Sequence, residues 1–155
     1  MITAPPVDEY QLWFADQAKG RPQPSRTAER TKSYADAARE AGNELGAAVL
    51  DSWTLFMTKA GWSQGKPLPG SRDVPQNSVL MDLLHDGTLR RVPTTEFSPL
   101  TLPSGLHLNP SGYRIIHDEL LKLVAATWPD QTPERLPFVL PAWDDPDQWK
   151  KYETK

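Results

Sequence analysis

The sequence predicts an α/β fold that is rich in helix and holds few parallel strands. Three observations carry that prediction. Between residues 25 and 60 a helical pattern stops at Gly46. The apolar run Ala47-Ala48-Val49-Leu50-Asp51 follows, and a second helical pattern opens at Ser52. Helix, buried strand and helix in that order is the grammar of an α/β layer. A longer helical pattern opens at Asn109-Pro110 and runs to Trp128. Proline makes up 16 of the 155 residues, about twice its usual share of roughly 5%. The prolines gather between Pro67 and Pro110 and again from Pro129 to Pro146, which marks loop-rich regions there. The chain therefore divides into a domain portion, residues 1–128, and an extended proline-rich tail, residues 129–155.

Met1-Ile2-Thr3 reads as the end of a strand, stopped by Pro5-Pro6. Asp8 is placed to cap a short helix that reaches about Gln17, with Tyr10, Leu12, Trp13 and Phe14 as its apolar mass. After the break at Gly20 to Pro24, a longer helix starts at Ser25 and runs to about Leu45. Tyr34, Ala38, Ala41 and Leu45 recur on it at helical spacing and form its expected buried stripe. Arg26, Glu29, Arg30, Lys32, Arg39 and Glu40 are expected in solvent. Gly46 ends this helix in the left-handed manner that glycine permits. The apolar run 47–51 is the next strand, and Ser52 to about Ala60 the next helix.

Gly61 to Asn77 is rich in Gly and Pro and reads as a loop. Val79 to Leu84 reads as helix because of its Leu and Met content, ended by His85-Asp86-Gly87. Leu89 to Pro103 carries few signals. Asn109 is a good N-cap, and Pro110 is tolerated at the first helical position. Tyr113, Ile116, Leu120, Leu123 and Val124 give the following helix an apolar stripe. The tail, with Phe138, Trp143 and Trp149 as anchors, reads as a strap that frays at Lys150 to Lys155.

Composition closes several functional classes. Net charge is -3 with pI about 5.6, and no basic block stands out, so nucleic acid is not an expected partner. Mean hydropathy is -0.57, and no apolar run approaches a membrane span. The first six residues lack the basic-then-apolar pattern of a secretory leader. Cysteine is absent, so disulfides, thiolate zinc sites and thiol nucleophiles are excluded. Together these features fit a cytoplasmic protein. No spacing of the three histidines resembles a zinc pattern, and no phosphate-cradling or dinucleotide-binding glycine loop occurs. The expectation is no metal and no cofactor.

His107 is the leading candidate for chemistry. It lies in the loop Ser104-Gly105-Leu106-His107-Leu108-Asn109, just before the best-marked helix. An imidazole titrates near neutrality and can act as a general base. The alternative is a loop histidine bonded to a nearby carbonyl. His117 reads as a solvated helix residue beside Asp118, and His85 as a helix C-terminal residue. Among the carboxylates, Asp8 reads as a cap, Asp51 as a strand-end turn, and Glu9 and Asp144-Asp145 as solvent-facing.

The stretch from Ser104 through Tyr113 resembles the last motif of the SGNH hydrolases, the GDSL-type esterases and lipases. Further similarity lies in Met1 to Glu9, which looks like the strand and loop after that family's central blocks. Ala48-Val49-Leu50-Asp51-Ser52-Trp53 looks like its later core strand. Leu136 to Trp143 looks like its C-terminal tail. The subgroup is the isoamyl acetate-hydrolysing esterases. The resemblance spans nearly all of this chain but only the latter half of the family's domain. It implies part of an α/β/α sandwich and a serine-histidine ester hydrolysis. In that chemistry the serine attacks the ester carbonyl, a histidine takes its proton, and fixed donors hold the oxyanion.

By this resemblance His107 falls on the catalytic histidine and Ser104 on the position of its orienting acid, so the acid is lost. No Gly-Asp-Ser or Gly-x-Asn-Asp block is present in the sequence. The resemblance thus implies a carboxylic ester hydrolase-like protein whose nucleophile-bearing N-terminal half is missing and which is inactive alone. A small ester is the implied substrate of the complete enzyme. The alternative is a non-catalytic binding or regulatory module derived from an esterase, which the serine at position 104 favours. A parallel sheet without its neighbours leaves apolar surface bare, and self-association through that surface is expected.

Overall fold

In a computed structural model of the chain, residues 1–84 and 107–136 are described, together with Asp147 and Lys150. Five α-helices follow one another: α1 (Glu9–Ala18), α2 (Ala28–Glu44), α3 (Ser52–Lys59), α4 (Ser78–Leu83) and α5 (Pro110–Thr127). A short 3-10 helix spans Pro129–Gln131. Residues 1–123 form one compact unit and residues 124–155 another, so the division falls within α5.

Each of the five α-helices opens on a polar cap. Asp8 accepts from Tyr10 N at 3.0 Å, Thr27 from Arg30 N at 3.2 Å, and Asp51 from Thr54 N at 3.1 Å. Asn77 accepts from Leu80 N at 3.0 Å and Asn109 from Gly112 N at 2.8 Å. Such a side chain satisfies a backbone donor that the helix itself leaves without a partner. Four of the helix starts agree with the sequence reading to within one or two residues. The start of α2 moves from Ser25 to Ala28, behind the cap Thr27. The reason is tertiary: Ser25 N is engaged by the carboxylate of Asp16 at 2.7 Å.

Strand content among the described residues is one parallel bridge between Ile2 and Leu50. Leu50 N donates to Met1 O at 2.8 Å, and Thr3 N donates to Leu50 O at 3.0 Å. Thr3 is buried beside this bridge. Its hydroxyl donates to Asp51 Oδ1 at 3.1 Å and accepts from Trp53 N at 3.2 Å. The two segments read as strands from the sequence thus meet side by side; the second passes straight into the cap of α3, which the Thr3 hydroxyl of the first also reaches.

The buried face of α2 differs from the expected stripe. Ala28, Thr31, Ala35 and Gly42 are buried, whereas Tyr34 is 66% exposed and Leu45 77% exposed. The true face is turned by one residue, about 100° of helix. Small side chains are what let α2 lie close. A Cβ on Gly42 would come within 2.4 Å of Val49 Cγ2. Arg39, expected in solvent, instead reaches Asp51. On α5 the expected stripe is also broken, because Tyr113 is exposed while Ile115 and Ile116 pack against the core.

That core joins Ala35, Trp53, Phe56, Met57, Leu80, Leu83, Leu84 and Leu108. Trp62 closes on Trp53 edge to face, with ring centroids 5.2 Å apart. Full burial of a Leu or Phe side chain contributes roughly 1.5–3 kcal/mol, so this cluster is the main source of order in the first unit. In the second unit, Arg135 pairs with Asp130 at 2.8 Å, and Arg135 N and Leu136 N both donate to Thr132 O. His85, Leu89 to Pro103, and the anchors Phe138, Trp143 and Trp149 lie outside the described residues.

Candidate functional site

His107 stands at the entrance to α5, and its neighbours in the chain are firmly held. Leu108 is buried in the core cluster. Asn109 N donates to Leu83 O at 3.1 Å and Asn109 Nδ2 to Asp82 O at 2.6 Å, so both carbonyls come from α4. Gly112 completes the fit. A Cβ there would meet Leu83 O at 2.9 Å and Leu108 Cβ at 3.1 Å. The Asn-Pro-Ser-Gly sequence therefore does two tasks. It caps α5, and it permits that cap to press against the end of α4.

The imidazole itself is exposed and makes no hydrogen bond to a described residue. It lines a cleft of about 600 Å³. One wall is the loop Ala4-Pro5-Pro6-Val7, which leaves the parallel bridge. The other is formed by Ser25 and Arg26, just before α2, and by Arg30, Thr31 and Tyr34 in its first turns. Residues far apart in sequence thus meet His107 at one opening. Thr31 Oγ1 is spent on Thr27 O at 2.9 Å. No described hydroxyl is paired with His107, so the histidine and an activated nucleophile are not found together among the described residues. Ser104 lies outside the described residues.

The cleft walls rest on two buried carboxylates. Glu9, read from the sequence as solvent-facing, is only 7% exposed. Its Oε1 accepts from Ala28 N at 2.6 Å and its Oε2 from Arg72 N at 3.4 Å. Asp16, 1% exposed, accepts from Ser25 N and from Arg21 Nη1 at 2.6 Å. Burial works to raise the Asp16 pKa. The Ser25 and Arg21 hydrogen bonds outweigh it and hold the carboxyl below its usual range. These two acids fasten the start of α2 to α1. Nothing in local sequence distinguishes them from surface acids, because the backbone amides that they accept from, Ala28 N, Arg72 N and Ser25 N, are brought to them by the fold.

A second cleft of about 790 Å³ lies on the other part of α2. Asp36 there pairs with Lys32 and, at 2.8 Å, with Arg39. Arg39 Nε also donates to Asp51 Oδ2 at 2.6 Å. Ser63 lines this cleft within Gly61-Trp62-Ser63-Gln64-Gly65, so a Gly-x-Ser-x-Gly string is present although the sequence was read as holding no such nucleophile elbow. Context removes it as a nucleophile elbow. It follows a helix rather than a strand, and both glycines sit at positive φ in plain turns. His107 lines the other cleft.

His117 is exposed and 3.1 Å from Asp118 on the surface of α5, in keeping with its reading as a solvated residue. Among the described residues no group of three His, Asp or Glu side chains could hold a metal ion, and no helix is long and apolar enough to cross a membrane.

No family model matches the chain. Two curated proteins are similar to it. A stretch of 44 residues, 28% of this chain, is 41% identical to the isoamyl acetate-hydrolyzing esterase of Saccharomyces cerevisiae and covers 18% of that protein. Over 145 residues, 91% of this chain, it is 26% identical to a GDSL esterase/lipase of Arabidopsis thaliana, of which it covers 45%. The chain thus spans less than half the length of either relative. These similarities support a distant kinship with GDSL-type ester hydrolases.

Proposed function

We propose that this chain is the histidine-bearing, C-terminal portion of an SGNH-type carboxylic ester hydrolase, and that it is inactive alone. The observation that carries this reading is the place of His107. It sits at a cleft mouth, held by the buried Leu108 and by the Asn109 bonds to α4. Similarity to a GDSL esterase/lipase along 91% of the chain supports the same reading. The parallel pairing of Ile2 with Leu50 would then be a fragment of the sheet of an α/β/α sandwich.

In this reading His107 is the general base. It takes the proton of a serine that attacks a small ester and later returns it to the leaving alcohol. The serine and the oxyanion donors come from a Gly-Asp-Ser-bearing segment outside this sequence. Ser104, at the position of the orienting acid, cannot hold the charge that stabilises an imidazolium.

The experiment is an assay with a short-chain p-nitrophenyl ester. The purified chain is assayed alone, and then as part of the longest product that its transcript encodes. No turnover is expected from the chain alone. Turnover that depends on a Gly-Asp-Ser serine is expected from the longer product, and His107→Ala should abolish it. A longest reading frame with no Gly-Asp-Ser block would sink the proposal. The second reading, a binding or regulatory module derived from an esterase, is favoured by the neutral side chain at position 104. Any turnover by the chain that His107→Ala removes would reject it.

A further inference from the structure

We propose that the His107 cleft receives an ester carrying a second, anionic oxyacid group, and that Arg26 and Arg30 are the residues that bind it. The proposal rests on the ester-hydrolase reading of the same cleft and adds the class of substrate. Arg26 lies just before Thr27, the N-cap of α2, Arg30 lies in the first turn of α2, and both line the cleft with His107. No described lining residue is an acid. The cleft therefore carries two guanidinium charges on a molecule whose net charge is -3.

The partners of these arginines decide the matter. Further along the same helix, Lys32 and Arg39 are both consumed by carboxylates. Arg26 and Arg30 have no ion pair among the described residues. The acids that fasten this part of the chain are committed elsewhere, Glu9 to Ala28 N and Asp16 to Ser25 N and Arg21. Glu29 is adjacent in sequence to Arg30 on the helix, and such neighbours do not face each other. Two like charges lining one cleft repel, and an anion bound there relieves the repulsion. Guanidinium groups bind carboxylate and phosphate oxygens through paired N–H donors. The cleft's size, about 600 Å³, suits a small organic acid ester.

The test is equilibrium binding to the full chain, followed by isothermal titration at low salt. Monomethyl succinate is compared with its uncharged counterpart, dimethyl succinate. Inorganic phosphate and succinate serve as competitors and tell which oxyacid is preferred. Binding of the charged ester at least about tenfold tighter than the neutral one is expected, and the difference should shrink in high salt. The double variant Arg26→Gln/Arg30→Gln should lose that preference, while Lys122→Gln on α5 should keep it. Circular dichroism of the double variant checks that the fold is intact. Affinities for the two esters within twofold of each other would overturn the proposal, as would a double variant that binds like the parent. Anion preference in the chain, with no His107-dependent turnover from the longest product that its transcript encodes, would instead overturn the hydrolase reading and leave the anion receptor standing. Turnover without anion preference would do the reverse.

Discussion

Arg39 Nε lies 2.6 Å from Asp51 Oδ2, and through this contact the middle of α2 grips the cap of α3. The same carboxylate accepts from Thr54 N and from the buried Thr3 hydroxyl, so one acid gathers three segments. Burial works to raise the Asp51 pKa, but the Arg39 and Thr54 hydrogen bonds hold it below the usual value. Asp16 and Asp36 are held low in the same way. In the unfolded chain all three protonate near 3.8. Their contribution to stability is therefore complete above about pH 4 to 5 and is lost as pH falls through the lower folded values. The urea midpoint should fall between pH 5 and pH 3, and Asp51→Asn should flatten part of that fall. A midpoint unchanged over this range would refute the account. At neutral pH, Asp51→Ala removes a helix cap as well and should cost about 1–2 kcal/mol.

Glu9 offers a sharper test of a buried carboxylate. Its Oε1 satisfies Ala28 N in a site closed to water. Glu9→Ala leaves that amide without a partner and should destabilise the fold by about 1–3 kcal/mol. Glu9→Gln keeps a carbonyl acceptor of the same reach and should cost clearly less. Urea denaturation of the two variants side by side reads the difference. Equal losses would mean that the Ala28 contact is not what holds α2.

Gly112 is required by contact rather than by backbone angle. An added methyl would press on Leu83 O and on Leu108 Cβ, one of them main chain and unable to swing away. Gly112→Ala should destabilise the fold by about 1–3 kcal/mol, even though alanine favours helix. Thermal unfolding measures the loss. Because Leu108 and Asn109 hold His107, the imidazole resonances should also shift. A variant as stable as the parent would show that α5 can retreat from α4.

Position 104 can be tested by restoring charge. In a product that carries the serine nucleophile, Ser104→Asp should raise kcat. In a serine protease, replacing the triad acid by a neutral residue lowers turnover by about 10⁴, which bounds the gain. The increase should vanish in a Ser104→Asp/His107→Ala double variant. An increase that survives the loss of His107 would detach Ser104 from the acid role.

Caps and punctuation were legible in the sequence because they are local. Asp8, Gly46 and Asn109-Pro110 announce themselves within a few residues, and all three act as read. The segments at Ile2 and Leu50 read as strands, and among the described residues they meet in a single isolated parallel bridge. The sequence also singled out His107 by its place before a well-capped helix. Which face of α2 is buried was not legible. Alanine and threonine carry too little hydrophobic signal to outvote Tyr34 and Leu45, and only the nearness of Val49 to Gly42 makes small size decisive. The roles of Glu9 and Arg39 were hidden for a related reason. A charged side chain looks like surface until the fold delivers a distant amide or carboxylate to it.

The sequence by itself determined the five helices, most of their ends and the candidate histidine, since each rests on contacts within a turn or two of chain, whereas the start of α2 was moved by the Asp16 carboxylate. Only the tertiary structure decided what His107 faces. It brought the loop 4–7 and the start of α2, with Arg26 and Arg30, to the same cleft. The physical reason is that long-range burial and charge pairing set that meeting. The buried Glu9 and Asp16 hold the start of α2 in place, and two arginines remain without described partners beside the histidine.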